Sequence, residues 1–187
     1  VMTGTLNMAD LAARLPAVAD TRTVRAAFAF LTIGISLKLA LFPLHLWLPN
    51  AYAYAPSAVT AFLAATATKV AIYVLLRFFF TIFGAQFSFG TMRLDAILLP
   101  LALAGIFSAS VVAIFQTNVK RMLAYSSVAQ IGYMILGISL VSVTGLTAAI
   151  SHLFNHALMK GTLFMALGCV SFRIGAVSLD RLAGVGR

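Results

Sequence analysis

The sequence predicts an all-α protein that crosses a membrane about five times. Of its 187 residues, 62% are hydrophobic and only 9% are charged, a balance that excludes a soluble domain. The apolar residues form continuous runs long enough for membrane helices, whereas a membrane β-barrel would alternate apolar and polar residues. We predict a transmembrane region over residues 22–171, with its helices at 22–49, 57–83, 96–116, 122–141 and 145–171.

Polar segments flank this region. We predict an extramembrane loop over residues 1–21, with a short interfacial helix near Leu11–Leu15, and a polar tail over 172–187. The chain starts with a valine inside what reads as a loop, and no signal peptide opens it. We therefore expect a piece of a longer membrane protein, located in the inner membrane of a bacterium.

The charges are strongly unbalanced. Thirteen lysines and arginines face four aspartates and no glutamate, which gives a net charge of +9. These cations flank or enter the predicted helices, so we expect lipid and membrane subunits as partners rather than nucleic acid. The aspartates all fall at or outside helix ends, so an acidic partner for a buried lysine has to come from outside this chain. Otherwise burial favours the neutral amine.

We expect no metal and no cofactor. The single cysteine, Cys169, lies in an apolar run and can form neither a disulfide nor a metal cluster within this chain. The sequence offers no ligand set for a redox centre, so we expect no electron transfer by this chain. Lysines and arginines are spread evenly over the two predicted membrane faces, so they do not fix an orientation.

The first predicted helix contains a lysine beside a proline break. Lys38 is the only charge within residues 26–42, and a lysine at the centre of a membrane helix costs roughly 2.5–3.5 kcal/mol on insertion scales. Pro43 and Pro49 then interrupt the helix. Because irregular backbone at membrane depth must be shielded or line a wet cavity, this pattern suggests an ion site. Alternatively, Lys38 ends a short helix and reaches the lipid headgroups.

A second lysine lies deep in the next helix. Lys69 comes thirteen residues after Pro56, or roughly 20 Å along a helix, which places it near mid-membrane. Tyr73 follows one turn later, on the same face. The alternative is a structural lysine bonded to backbone carbonyls. In the break between these helices, His45 is either a hydrogen-bonding or a proton-carrying residue, and Trp47 is expected at the membrane interface.

The fourth predicted helix begins with an unusually polar half. Its side chains cannot all face lipid without cost, so they should point to neighbouring helices or to water. Candidate accessory residues here are Tyr125, Ser126 and Gln130. Lys120 and Arg121 lie at the predicted membrane edge, where we expect them to anchor the chain to headgroups.

The fifth predicted helix carries His152, His156 and Lys160 at steps of four residues. This spacing puts them on one helical face over roughly 12 Å. Three ionisable residues in one membrane helix indicate a proton relay, and histidine titrates near neutral pH. A zinc site, a haem ligand and a purely structural stripe are the alternatives; no thiol or carboxylate is placed to complete a metal site.

Three motifs, in this order, resemble one family. They are KLALFPLHLWLP at 38–49 followed by APSAV at 55–59 and KVAIY at 69–73, then QTNVKRMLAYSSVAQIGYM at 116–134, then SHLFNHALMKGTLF at 151–164. They are similar to the antiporter-like membrane subunits, which include the L, M and N-type subunits of respiratory complex I, the A and D subunits of Mrp antiporters, and relatives in membrane-bound hydrogenases.

The resemblance implies a fold of inverted repeats and a role for each matching residue. Lys38 corresponds to the lysine at the break of a discontinuous helix, and Lys69 to the linking residue on the next helix. His152, His156 and Lys160 correspond to relay positions of a central hydrophilic axis. His45, Tyr73, Tyr125, Ser126 and Gln130 are candidate accessory residues.

The chain also departs from the family's pattern. The glutamate that pairs with the broken-helix lysine is absent, as is the second broken helix, and Asn50 stands where an aspartate is common. The implied function is proton translocation inside a multisubunit NADH:quinone oxidoreductase-type pump or a Mrp-type antiporter, with protons or sodium ions as cargo. A structural membrane subunit without transport, or an inactive fragment, is the alternative.

Overall fold

The computed structural model describes residues 2–175, 177–182 and 184, and this part of the chain is built from helices. Two π-helical segments, Arg77–Ile82 and Gln86–Thr91, follow the fourth helix. The α-helices are α1 (Met8–Arg14), α2 (Arg22–Leu39), α3 (Trp47–Tyr54), α4 (Ser57–Leu76), α5 (Leu94–Ile114), α6 (Val119–Ser139), α7 (Val143–Ile174) and α8 (Leu179–Leu182).

Four of these helices are long and apolar enough to cross a membrane. They are α4 with its π-helical continuation, α5, α6 and α7. On either side of the break, α2 packs against α4 and α3 packs against α6. The prediction of an all-α, polytopic membrane protein is therefore confirmed. The predicted tail over 172–187 lies partly outside the described residues; within them, α7 continues to Ile174 and Leu179–Leu182 forms α8.

The break between α2 and α3 begins four residues before Pro43. Helix α2 ends at Leu39, and Ala40 adopts a left-handed conformation with φ of 62°. Because a residue that precedes proline avoids the helical region, Phe42 before Pro43 is held out of the helix and the last turn closes sooner. The Ala40 amide closes this end by donating to the Leu37 carbonyl.

Trp47 spans the break. Its indole Nε1 donates to the carbonyl oxygen of Leu37 at 2.9 Å, so the first residue of α3 is tied to the last turn of α2. The indole N–H gives the Leu37 carbonyl a second donor beside the Ala40 amide, and the interface position of Trp47 stays a prediction. The break itself is shielded by α5, since a Cβ on Gly105, midway along that helix, would lie 3.0 Å from the Phe42 Cβ.

Helices α4 and α7 pack antiparallel at close range. A Cβ built on Gly168 would lie 3.2 Å from the Ser57 Cβ, and one on Gly161 would lie 3.4 Å from the Ala65 Cβ. The two contacts lie eight residues apart along α4 and seven residues apart, in the opposite chain direction, along α7. We call the end of the bundle where α3 ends, α4 and α6 begin and α7 ends face A, and the opposite end face B. Small residues make this close packing possible.

Aromatic rings close the bundle at face B. Phe28 of α2 packs against Phe79, Phe83 and Phe87 of the π-helical region, with ring centroids 4.8 to 5.8 Å apart. These rings belong to the larger of two buried apolar clusters. The smaller cluster lies around α3 and the first half of α6, and it includes Tyr52. The candidate site lies between α4, α6 and α7.

Helices α5 and α6 meet at Gly132, and a side chain there is expected to destabilise the fold. A Cβ on Gly132 would lie 2.7 Å from the Ile106 Cγ1 and 2.9 Å from the Ala102 carbonyl oxygen, so the helices would have to separate. We expect Gly132→Ala to lower the free energy of unfolding by about 1–3 kcal/mol, measured as a lower melting temperature in detergent.

The control for Gly132→Ala is Gly34→Ala. A Cβ on Gly34 meets nothing within 4 Å, and both variants gain the same helix propensity from alanine. Equal melting temperatures for the two variants would contradict the close α5–α6 contact.

Candidate functional site

The structure brings together four of the predicted site residues, which we call the lysine–histidine cluster: Lys69, His152, His156 and Lys160. Lys69 comes from α4 and the other three from α7. From the close pair of Ala65 and Gly161, four residues forward along α4 and five back along α7 bring Lys69 close to the level of His156. His156 lies within electrostatic range of the other three members.

Three members of the cluster are almost completely shielded from solvent. Lys69 is 6% exposed, His156 is 1% exposed and Lys160 is 3% exposed. His152 is half-buried. These residues therefore share one buried region between α4, α6 and α7 rather than reaching out to lipid headgroups.

The two buried lysines each donate to a backbone carbonyl. Lys69 Nζ donates to the carbonyl of Ala64 on its own helix. Lys160 Nζ donates to the carbonyl of Leu123 on α6 at 2.9 Å. Neither hydrogen bond, among those of the described residues, involves a carboxylate. For Lys69, the alternative of a structural lysine bonded to a backbone carbonyl thus describes the geometry. It does not explain why two lysines and two histidines share one site.

Electrostatics make this arrangement unusual. Two unit charges of the same sign about 4 Å apart repel by about 4 kcal/mol at an effective dielectric constant of about 20. A fully protonated cluster without a carboxylate would therefore be strongly unfavourable. The arrangement favours states in which only some of the four groups carry a proton.

His156 occupies the centre of the cluster. Both of its ring nitrogens are buried without a hydrogen-bond partner in the described structure. Its ring stacks on that of His152, with centroids 6.0 Å apart and an interplanar angle of 17°. Buried polar nitrogens are rare without a partner, and such exceptions call for an explanation, often functional. An imidazole in this position can both accept and donate a proton.

Helix α6 supports the cluster through Gln130. The His152 Nε2 and the Gln130 Oε1 are 2.6 Å apart, and the Tyr133 ring meets His152 edge-on. Gln130 thus fixes the orientation of the outermost histidine. Ser126, another predicted accessory residue, is half-buried on α6 and has no side-chain hydrogen bond described.

A second, smaller group lies at the helix break. His45 is 7% exposed, and its Nδ1 has no hydrogen-bond partner in the described residues. Its ring stacks on Phe42 and meets the Tyr125 ring edge-on, with centroids 5.4 Å and 6.3 Å apart. Tyr125 and Gln130 therefore connect α6 to the break and to the cluster, respectively.

Two predicted residues lie away from the cluster. Lys38 is exposed in the last turn of α2, where the helix dipole favours a cation. Tyr73 is 59% exposed and lines a surface groove between α4 and α7 together with Arg77. In the described part of the structure, neither the Lys38 nor the Tyr73 side chain contacts His156.

The sequence reasoning missed one buried lysine. Lys120 is 7% exposed, and its Nζ donates to the carbonyl of Ala55 at 3.0 Å. The expected headgroup anchoring is thus wrong for Lys120, because the open end of α3 supplies a closer acceptor. Its neighbour Arg121 donates from Nη2 to Asn50 Oδ1 at 2.9 Å, which holds α6 to α3.

Comparison with known proteins identifies the family. The chain matches the family "NADH:quinone oxidoreductase/Mrp antiporter, TM" over residues 1–185. It is 44% identical to the N subunit of the NADH-quinone oxidoreductase of Desulforudis audaxviator over 100% of this chain and 37% of that protein. It is 32% identical to the D subunit of the Na(+)/H(+) antiporter of Alkalihalophilus pseudofirmus over 98% of this chain and 36% of that protein.

Solved structures share the same architecture. A chain of the membrane-bound sulfane sulfur reductase, an archaeal respiratory membrane complex, superposes with a TM-score of 0.86 at 34% identity, covering 97% of this chain and 36% of that one. A chain of the Mrp complex from Dietzia sp. DQ12-45-1b superposes with a TM-score of 0.78 at 33% identity, covering 90% and 30%.

The sequence spans about a third of the length of these relatives. The family match and both superpositions cover nearly all of this chain. The resemblance drawn from the three motifs is therefore confirmed. The chain is an integral membrane protein that belongs to the NADH:quinone oxidoreductase/Mrp antiporter transmembrane family.

Proposed function

We propose that this chain forms the proton-conducting section of an antiporter-like subunit. The subunit would work in a multisubunit NADH:quinone oxidoreductase-type pump or in a Mrp-type cation/proton antiporter. The relatives are the N subunit of an NADH-quinone oxidoreductase and the D subunit of a Na(+)/H(+) antiporter, and the solved neighbours are parts of membrane complexes. Partners are accordingly other membrane subunits, and the cargo is protons, with sodium ions as a second cargo in the antiporter.

One observation carries the proposal. His156, with both ring nitrogens unpartnered in the described structure, lies buried at the centre of a site that also contains Lys69, Lys160 and His152. A structural role does not need four basic groups at mid-membrane, where each is expensive to bury. Proton exchange does need several basic groups close together, because each group must be able to hold and release a proton.

In the proposed mechanism, protons move laterally along the cluster. A proton passes from one lysine through His156, and through water bound at the two imidazole nitrogens, to the other lysine. The donor becomes a neutral amine and the acceptor becomes an ammonium ion, so the total charge is conserved. The repulsion of about 4 kcal/mol between neighbouring cations pushes each proton onward when a new one arrives.

Lys38, which lies apart from the cluster, would have a separate role beside the helix break. The exposed end of α2 leaves room for an acidic residue from outside this chain to approach. The charge of Lys38 would respond to that residue. The break itself, lined by His45 and shielded by α5, supplies irregular backbone at membrane depth of the kind found at ion sites. A subunit without transport, held together by the same polar residues, is the competing function.

Replacing His156 by phenylalanine separates the two functions. An apolar ring of similar shape removes two unpartnered buried nitrogens, so a structural role predicts unchanged or greater stability and unchanged transport. The proton-transfer role predicts a loss of proton translocation of at least about tenfold with the complex still assembled. The measurement is proton uptake by vesicles that contain the complete complex.

The control variant is Leu158→Ala on the exposed side of α7. It should leave both assembly and proton uptake unchanged. Full proton uptake by an assembled His156→Phe complex would refute the proposed function.

A further inference from the structure

From the contacts of Lys120 we infer that this lysine is an additional proton-transfer residue, through which protons pass between Lys160 and the aqueous phase at face A. This inference rests on the proposed function of the cluster. It assigns a role to a residue that the sequence reasoning treated as a headgroup anchor.

Lys120 shares two features with the cluster lysines Lys69 and Lys160: low exposure and a backbone carbonyl as acceptor. All three side chains are at most 7% exposed. Each donates to one backbone carbonyl, that of Ala64, Leu123 or Ala55, and none to a carboxylate in the described structure. An ammonium group has three protons to place, and one carbonyl accepts only one of them. The three sites therefore suit an amine that alternates between its charged and neutral forms.

The position of Lys120 fits an outlet. It is the second residue of α6, at face A, and fewer protein atoms surround it than surround Lys69 or Lys160. The Lys160 amine is bonded to Leu123, three residues further along the same helix, which is a rise of about 4.5 Å. Lys120 thus lies between Lys160 and face A.

A purely structural link between α3 and α6 does not require Lys120. Arg121 already joins α6 to α3 through Asn50. The Thr60 hydroxyl lies 3.2 Å from the Ala55 carbonyl and can donate its one proton either there or to the carbonyls of Tyr52 and Pro56. The contact between α3 and α6 therefore has a second link in Arg121, apart from Lys120.

The other charged and titratable groups around Lys120 are few. Its own helix contributes Arg121 and Tyr125, α7 contributes Lys160, and the break contributes His45. Helix α3 and the first three turns of α4 contain no charged residue, although α3 contributes Tyr52 and Tyr54. Asp180 lies in the segment that pairs with residues 117–119 through the Val177 carbonyl and the Leu179 amide. None of the described salt bridges involves Lys120.

The proposed step transfers one proton. The Lys160 ammonium gives its proton through water to the Lys120 amine, which leaves Lys160 neutral and Lys120 charged. Lys120 then releases the proton to water at face A, and the same steps run in reverse for uptake.

Three substitutions in the full-length subunit test this role. Lys120→Gln keeps a donor for Ala55 but cannot titrate, Lys120→Arg keeps the donor and a permanent charge, and Lys120→His keeps a titratable group. We expect Gln and Arg to lower proton translocation by at least about tenfold in the assembled complex. We expect His to restore part of it, with the rate falling at a lower pH than in the wild type, because histidine releases its proton at lower pH.

Other outcomes overturn the inference. Translocation at the wild-type rate in Lys120→Gln or Lys120→Arg would mean that Lys120 only holds α3 and α6 together. A loss of translocation in His156→Phe would in that case still support the proton-transfer role of the cluster. If only Lys120→His assembles, an unchanged pH profile in that variant overturns the role. Arg121→Lys, which keeps the charge of the neighbouring residue, is the matched control.

Discussion

Replacing Lys69 by methionine is expected to lower proton translocation by about a hundredfold or more while the complex still assembles. Methionine has a similar length and no titratable group. Lys69 is buried beside His156 and Lys160, so its removal takes one basic group out of a crowded cationic site. Its only described hydrogen bond goes to Ala64 on the same helix, so the packing of α4 on α7 does not depend on it.

Lys69→Arg should fail as well, although it keeps the charge. Arginine does not release its proton in proteins, so it would fix a permanent charge in the cluster. The matched control is Val70→Ala, one residue along α4 and 52% exposed. Proton uptake measured in vesicles, with assembly checked by the amount of intact complex, distinguishes the outcomes. Translocation at the wild-type rate in an assembled Lys69→Met complex would exclude a relay through α4.

Replacing Lys160 by glutamine should cause a loss of similar size, about a hundredfold. The glutamine amide can still donate a hydrogen bond toward the Leu123 carbonyl, but it cannot carry a proton. That carbonyl also accepts from the Ser127 hydroxyl at 3.0 Å, so no buried acceptor is left unpaired. Structure and hydrogen bonding are thus nearly conserved, and only the titratable group is removed.

The control for Lys160 lies on the same helix. Met159→Leu changes an apolar side chain that is 48% exposed, next to Lys160 in the sequence, and it should leave translocation unchanged. If Lys160→Gln pumps as well as the wild type, Lys160 serves as a hydrogen-bond donor to α6 and the proposed path does not pass through it.

The sequence was informative where one helix carries the pattern. The four-residue steps of His152, His156 and Lys160 place them on one face of α7, and the prolines after Lys38 mark a break. Both follow from helix geometry and from the missing proline N–H. The fold class followed from composition and from the length of the apolar runs.

Contacts between helices were beyond the reach of the sequence pattern. That Lys69 lies close to the level of His156 depends on the close approach of α4 and α7 at Gly161 and Gly168. Spacing within one helix does not define which face meets a neighbour. The resemblance to a family gave both residues relay positions but did not pair them, and the packing of small residues explains the pairing physically.

Lys120 shows why residues at helix ends are hard to interpret. A lysine at a predicted membrane edge usually reaches outward, and only the tertiary structure reveals an inward acceptor. The signal in the sequence was the Ala55–Pro56 junction, where α3 ends and its last carbonyls lose their intrahelical partners. A cation placed elsewhere in the chain can satisfy such a carbonyl.

The central claim is that the buried amines and imidazoles share a hydrated path. An experimental structure of the complete complex, at a resolution that reveals ordered water, tests it most directly. We predict water molecules that link Lys69, both nitrogens of His156 and Lys160 without interruption. Dry apolar packing around His156, with the two lysines separated by side chains that exclude water, would contradict the account.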